Sequence, residues 1–301
     1  MTRRVIISGA SGLIGTALVR ALRAEGTEVT TLVRRPARGS GEVTWAPGER
    51  PLDPGLIDGV DAVVALGGAS VGRMPWTPRY QRELSDSRLG PTRTLAEAIR
   101  ALGADAPALL SASAVGYYGS VPGETLTEAS AAGETFLAKL CVEWEAEALA
   151  AGTHSRVVLL RTAPVIHRDG VLKPLIRLTG LGVGGPIGRG TQVWPWISLN
   201  DEVRAIQHLI ASEIEGPVNL TGPTPATANE QGRALARAMR RPFWLPAPEW
   251  GLRLALGRAA TESLLTADAD VRPEVLQRSG FTFSDQTVEG AVEKALAEPR
   301  G

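Results

Sequence analysis

Three glycines stand at even spacing near the start of the chain: Gly9, Gly12 and Gly15, within "IISGASGLIGTAL" from Ile6 onward. Glycine weakens both strands and helices, so three of them between an apolar run and a helical pattern call for a reason. A tight turn and the close approach of an anion to the backbone both require missing side chains. A helix starting there would also aim its free N–H groups at the anion. About 20 residues beyond the glycines, where a carboxylate would hold an unmodified ribose, the chain reads "LVRRP", with Arg34 and Arg35. A carboxylate repels a 2′-phosphate, whereas guanidinium groups bind one through charge-assisted hydrogen bonds. The chemistry these residues fit is a phosphorylated dinucleotide, NADP(H).

The elements that must position those groups can be read around them. "RVIIS" (Arg4 to Ser8) is a short β-branched run suited to a buried parallel strand. Ile14, Leu18 and Leu22 then recur every four residues, Gly26 stops the helix, and "EVTTLV" (Glu28 to Val33) is a second strand. Strand, glycine turn, helix and strand within about 30 residues form the βαβ context in which such a fingerprint carries weight. Further strands follow at Asp61–Ala69, Ala108–Gly119 and Arg156–Ile166. Helical stretches follow at Trp76–Leu102, broken or bent at Pro91, at Glu134–Ala151 and from about Asp201 to Ala211. "GPVNLTGP" (Gly216 to Pro223) reads as a short strand and turn. The expected fold is α/β, a Rossmann-type doubly wound parallel sheet with a smaller interleaved C-terminal α/β substrate domain. Residues 1–165, with 198–221 returning to them, would bind the cofactor; 166–197 and 222–301 would form the substrate domain, with the substrate at the strand carboxyl ends.

Composition narrows the classes. With 32 basic and 32 acidic residues the formal charge is zero, which implies no general attraction to nucleic acid or anionic membrane. No apolar run reaches membrane-spanning length and no signal-peptide pattern opens the chain, so a cytoplasmic protein is expected. Cys141 is the only cysteine and the three histidines are scattered, so neither a disulfide nor a metal site is expected. The partner implied is a small-molecule substrate, with the chain a monomer or homodimer.

The G-x-x-G-x-x-G spacing resembles the fingerprint of the extended and atypical short-chain dehydrogenase/reductases. Further segments narrow the resemblance: "VVALGGASV", "WTPRYQRELSDSRL", "SASAVGYYG", "FLAKLCVEWE", "GLGVGGPIGRGTQVWPWISLND", "GPVNLTGPTP" and "SGFTF". Over nearly the whole chain they are similar to the "epimerase family" branch, which resembles nucleotide-sugar epimerases and carries a C-terminal domain of unknown function. The resemblance implies that Gly9, Ser11, Gly12, Leu13, Ile14 and Gly15 cradle a pyrophosphate. It places Val33, Arg34 and Arg35 at the adenosine ribose and its phosphate, and Leu66 and Gly67 along the adenosine. Glu83 and Arg88 match positions near the cofactor, although without the resemblance each reads as a solvated helix residue. Ile166 would stand by the nicotinamide. The chain departs from the family pattern at Ser198, where a histidine is usual, at Asn200, where an acidic residue is usual, and at Ala163, where a glycine is usual. These departures fall on the substrate side.

Short-chain reductases combine a serine or threonine with Tyr-x-x-x-Lys, the lysine favouring a phenolate and holding the nicotinamide ribose. Here Lys139 has the right context, but Thr135 stands where the tyrosine would be. Ser113 and Tyr117, in the preceding loop, are the nearest substitutes. For Tyr117 the alternative is ring packing at the sheet edge, and for Lys139 a surface helix position. The functional expectation is an NADP(H)-dependent oxidoreductase or epimerase acting on a polar, sugar-like small molecule. The rival expectation is a non-catalytic NADP(H)-binding redox sensor.

Overall fold

A computed structural model describes residues 2–298 of the chain. Its centre is a seven-stranded parallel sheet of β1 (Arg4–Ser8), β2 (Glu28–Val33), β3 (Glu42–Thr44), β4 (Ala62–Ala65), β5 (Ala108–Ala114), β6 (Val157–Thr162) and β7 (Gly216–Leu220). The strands lie in the order β7-β6-β5-β4-β1-β2-β3. This is the doubly wound Rossmann arrangement, with the order reversing between β1 and β4, where the crevice for a dinucleotide opens.

Strands of this sheet are buried on both faces, which is why they read as apolar runs rather than alternating ones. In β1, Val5 and Ile7 point into one core with Leu18 and Leu22 of α1 (Leu13–Ala24). Ile6 points into the other, with Leu95 and Ile99 of α2 (Pro78–Ala101) and Ala148 of α3 (Phe136–Leu149). Segments 165–185 and 222–298 contribute α4 (Leu172–Gly180), α6 (Ala228–Ala238) and the helix Val288–Ala297, packed around Ile166, Trp196 and Leu235. Between them α5 (Leu199–Ile210) lies against α1, and β7 pairs with β6 at the sheet's edge.

Several elements differ from the expectations. Helix α2 runs unbroken through Pro91. Tyr80 and Leu84 anchor one half and Leu95 and Ile99 the other, so packing outweighs the missing N–H. The run ending at Ile166 splits after Thr162: β6 stays in the sheet, while Val165–Ile166 pairs with Ile197–Ser198 instead. Pro164, which has no N–H to offer a ladder, stands at the split. Strand β3, only "EVT", has too little apolar pattern to be read from sequence.

Two carboxylates in the first turn of α5 hold this arrangement in opposite ways. Asp201 is buried and accepts from the N–H groups of Ser284 (2.9 Å) and Asp285 (2.9 Å), the Ser284 hydroxyl (2.8 Å) and Arg204 (2.9 Å). It fastens the C-terminal segment to the sheet domain. Glu202 is fully buried, bonded only to the Thr162 hydroxyl at 2.9 Å through Oε1, with Oε2 unpartnered among the described residues. Burial pushes its carboxyl up to about 8. Protonated, it can donate to Thr162 Oγ1, which in turn reaches the Leu160 carbonyl at 3.4 Å.

This raised value has a thermodynamic consequence. The unfolded chain ionises at Glu202 from about 4.5 upward, while the native protein keeps the proton until about 8. Stability is therefore greatest below the lower value and falls through that window, by up to about 1.4 kcal/mol per pH unit from this group. Urea denaturation at pH 6 and 8 should show that loss in the native sequence, and Glu202→Gln should flatten it. Equal pH slopes in the two proteins would dispose of the idea.

Candidate functional site

The glycine turn is built by backbone contact. Gly9 has φ +76°, and a Cβ there would lie 2.6 Å from the Leu66 carbonyl carbon. A Cβ on Gly15 would lie 2.3 Å from the Gly9 oxygen. These two glycines let β1, the turn and the loop after β4 touch. Gly12 differs: its φ is −78°, and a Cβ would meet only the Gly9 oxygen, at 3.3 Å. Its outer side is open. Gly12 is the N-cap of α1 and no side chain caps that helix, nor is any acidic residue in its first turn. By contrast Thr77, Thr135, Ser198 and Thr227 cap α2, α3, α5 and α6 with their hydroxyls. The first N–H groups of α1 thus remain for an anion, in a cradle that a side chain on Gly12 would fill. Ser11 is exposed and Leu13 and Ile14 half-buried beside it, with Leu13 against the Gly170 backbone.

Val33 ends β2, and Leu66 and Gly67 run directly over Gly9. The two arginines after Val33 are not equivalent. Arg35 makes a two-pronged ion pair with Glu42 of β3, at 2.7 and 2.6 Å, which holds the Glu42 carboxyl down at about 2. Arg34 is exposed and has no ion-pair partner among the described residues. In α2, Glu83 is exposed and faces Arg73 at 3.9 Å. Arg88 is inserted under the loop after β4, donating to the carbonyls of Leu84 (2.9 Å) and Ala69 (3.0 Å). Burial lowers its pKa. Arg88 shapes that loop from below.

The expected trio of Ser113, Tyr117 and Lys139 is not brought together. Lys139 is 65 % exposed and pairs with Glu134 at 3.6 Å. The row of α3 that faces inward is Leu137, Cys141 and Glu145, spaced by four, and Lys139 is half a turn away from it. The Ser113 hydroxyl is buried and donates to Glu145 Oε1 at 2.6 Å. Glu145 also receives both prongs of Arg161 from β6, each at 2.8 Å. Burial alone would lower the Arg161 pKa, but Glu145 and Tyr118 outweigh it and raise it. Arg161 further donates to the Tyr118 hydroxyl (3.0 Å) and the Glu128 carbonyl (3.3 Å). Tyr118 is fully buried and donates to Asn219 Oδ1 at 2.7 Å, its pKa raised by burial. Tyr117 lies half-buried over Arg161, whose guanidinium carbon is 3.5 Å from the ring centroid. Its hydroxyl has no partner among the described residues. The Ile166 side chain is buried with Leu172 and Trp196.

A cleft of about 360 Å³ opens beyond this loop. Ser120 of the loop after β5 and Thr135 at the start of α3 line it on one side, and Arg189, Gln192, Glu249, Glu262 and Thr266 of the C-terminal segments on the other. The sequence reading missed all of the latter. The glycine-rich run marked only the stretch that carries Arg189 and Gln192.

Comparison with known proteins agrees with this architecture. Residues 5–221 match the NAD dependent epimerase/dehydratase family, and residues 247–295 match a domain of unknown function, DUF1731. An epimerase family protein of Mycobacterium bovis is 42 % identical, covering 98 % of both chains. Among solved structures, human epimerase family protein SDR39U1 with NADPH superposes with a TM-score of 0.88 at 30 % identity, covering 98 % of this chain and 100 % of that one. A nucleoside-diphosphate sugar epimerase from Corynebacterium glutamicum reaches 0.79 at 29 % identity, covering 98 % of this chain and 58 % of that one.

The cradle geometry separates two glycines that look alike in sequence. Gly12→Val should leave the melting temperature nearly unchanged while abolishing dinucleotide binding. Gly15→Val should instead unfold the turn, because its Cβ meets backbone that cannot move aside. A Gly12→Val protein that binds dinucleotide normally in calorimetry would remove the phosphate reading.

Proposed function

Because the chain belongs to the NAD dependent epimerase/dehydratase family, we propose that it is an NADP(H)-dependent oxidoreductase or epimerase-like enzyme acting on a polar, sugar-like small molecule. The observation that carries this reading is the open, uncapped N-terminus of α1, closed from behind by Gly9 and Gly15 and neighboured by an unpaired Arg34. The NADPH of the human relative supports the choice of cofactor. Gly9 and the stretch Ser11 to Gly15 would hold the pyrophosphate; Val33, Leu66 and Gly67 would line the adenosine; Arg34 would take the 2′-phosphate. Residues 1–165 and 198–221 form the cofactor-binding part in this reading, and 166–197 with 222–301 the substrate part.

The cofactor, when bound, exchanges hydride with the substrate. The chain must then move a proton. Tyr117 is our candidate: its hydroxyl is unpartnered, and Arg161 beneath the ring fixes its position. Tyr118 is unsuited, because its buried hydroxyl is already engaged by Asn219 and Arg161. Ser113, held by Glu145, and Lys139, on the solvent face, take no part. Those two placements are also what favours the second reading, a redox sensor that binds NADP(H) without turnover.

Two measurements test these roles. Arg34→Ala should weaken NADPH binding about tenfold with NADH binding little changed, as expected for one lost charge-assisted contact. Arg35→Ala should do less, because Glu42 already holds that guanidinium; equal effects, or none, in calorimetry would remove the assignment. Tyr117→Phe should lower turnover about a hundredfold without altering NADPH affinity. A fully active Tyr117→Phe protein refutes the proton role, and no NADPH oxidation by the native protein across carbonyl and sugar substrates favours the sensor.

A further inference from the structure

The lining of the lobe cleft has a charge pattern of its own. Arg189 is the one cation among its lining residues, and it is paired with Asp268 at 3.0 Å. Asp268 is pinned in place. Its Oδ1 accepts from the Val193 N–H (2.9 Å), its N–H donates to Ser120 Oγ (3.0 Å), and its carbonyl accepts from the Val121 N–H (2.8 Å). It therefore staples the loop after β5 to the segment carrying Arg189, and cannot swing away when a ligand enters.

Of the other lining groups, Ser120, Thr135 and Thr266 carry hydroxyls, and the remaining three present acceptors to the cleft. Glu249 pairs with Arg253 at 2.7 Å, and Glu262 with Arg253 (3.2 Å) and Arg258 (2.8 Å), which fixes both carboxylates at the cleft wall. Gln192 is 1 % exposed. Its Nε2 donates to the carbonyls of Ile187 (2.9 Å) and Leu265 (3.0 Å), which fixes the amide's orientation. Its Oε1 is a buried acceptor with no partner among the described residues. An acceptor held in that state is costly unless a ligand donates to it.

We propose that this cleft takes an uncharged, hydroxyl-rich molecule and excludes a diphosphate, with Asp268 the specificity-determining residue that withholds Arg189 from anions. The inference rests on reading the cleft as the substrate site. A diphosphate brings negative charge and acceptors only. The wall's one cation is paired with Asp268, and its two carboxylates and amide oxygen have no proton to give, leaving the diphosphate only the hydroxyls of Ser120, Thr135 and Thr266. A hydroxyl-rich molecule can donate to the carboxylates and the amide oxygen and exchange hydrogen bonds with those hydroxyls. The fold shared with a nucleoside-diphosphate sugar epimerase does not carry that substrate across, because substrate recognition resides in side chains of the site.

The test is calorimetry of the NADPH-saturated protein, titrated with inorganic diphosphate and with UDP-glucose. Saturation keeps both probes out of the dinucleotide cradle, and NADPH binding is measured first and separately. The native protein should bind neither probe below about 1 mM. Asp268→Asn, whose amide oxygen still serves the Val193 N–H, should bind diphosphate about tenfold more tightly through the released Arg189. Glu262→Gln should shift affinity in the same direction without touching the staple, which keeps the test decisive if Asp268→Asn fails to fold. Native binding of UDP-glucose that Arg189→Ala abolishes would overturn the exclusion while leaving the cleft as the substrate site. Native binding that Arg189→Ala leaves unchanged would overturn the cleft reading as well. No gain in either charge variant would overturn the role given to Asp268.

Discussion

A guanidinium buried in the middle of a parallel sheet must find partners in every direction, and Arg161 does so by joining five parts of the chain. Glu145 of α3 takes its charge in a two-pronged pair, with Ser113 of β5 as a third partner on the same carboxylate. Nη1 donates to the Tyr118 hydroxyl and the Glu128 carbonyl, and Tyr117 covers the face. Through Tyr118 the network reaches Asn219 of β7, which donates onward to the Arg272 carbonyl at 2.9 Å in the C-terminal segment. Removing any member would leave a buried charge or dipole exposed to a low dielectric, which is far costlier than losing one bond. The loop after β5 is therefore held in one shape by a buried ion pair.

That network explains why the site was only half legible in the sequence. The glycine turn and its strands could be read because local rules govern them: glycine for close approach, apolar runs for buried strands, an uncapped helix start. A single arginine in "RVVLLRT" and a glutamate in "VEWE" are far apart in sequence, and nothing local pairs them. Lys139 shows the opposite failure. Its distance from Thr135 suits the short-chain motif, but without the motif's tyrosine there was no register to count from. The helix sets Leu137, Cys141 and Glu145 on the inner row instead.

The departures at "WISLND" follow the same logic. Ser198, where relatives of the expected pattern carry histidine, caps α5 by accepting from the Asp201 N–H at 3.2 Å. Asn200 donates to the Ser284 hydroxyl at 2.8 Å, and Ser284 donates to Asp201. Both substitutions serve the joint between α5 and the C-terminal segment. In sequence they look like changes to a substrate site; in three dimensions they are adjustments around a buried aspartate whose lone pairs must all be satisfied.

Pairing also sorts the arginines of a chain that has 29 of them. Abundance makes any one arginine near a phosphate site weak evidence, since most will be solvated or engaged elsewhere. Arg35 is bound by Glu42, Arg189 by Asp268, Arg161 by Glu145, and Arg88 by two carbonyls under the loop after β4. Each is held before any ligand arrives, and would have to exchange an existing partner for the new one. Arg34 has no such partner among the described residues, and it stands at the end of β2 beside the turn whose helix start is open. A cation becomes available for recognition when the fold has not already neutralised it. By that criterion Arg34 is left available beside the glycine turn, whereas Arg189 at the cleft is already paired with Asp268.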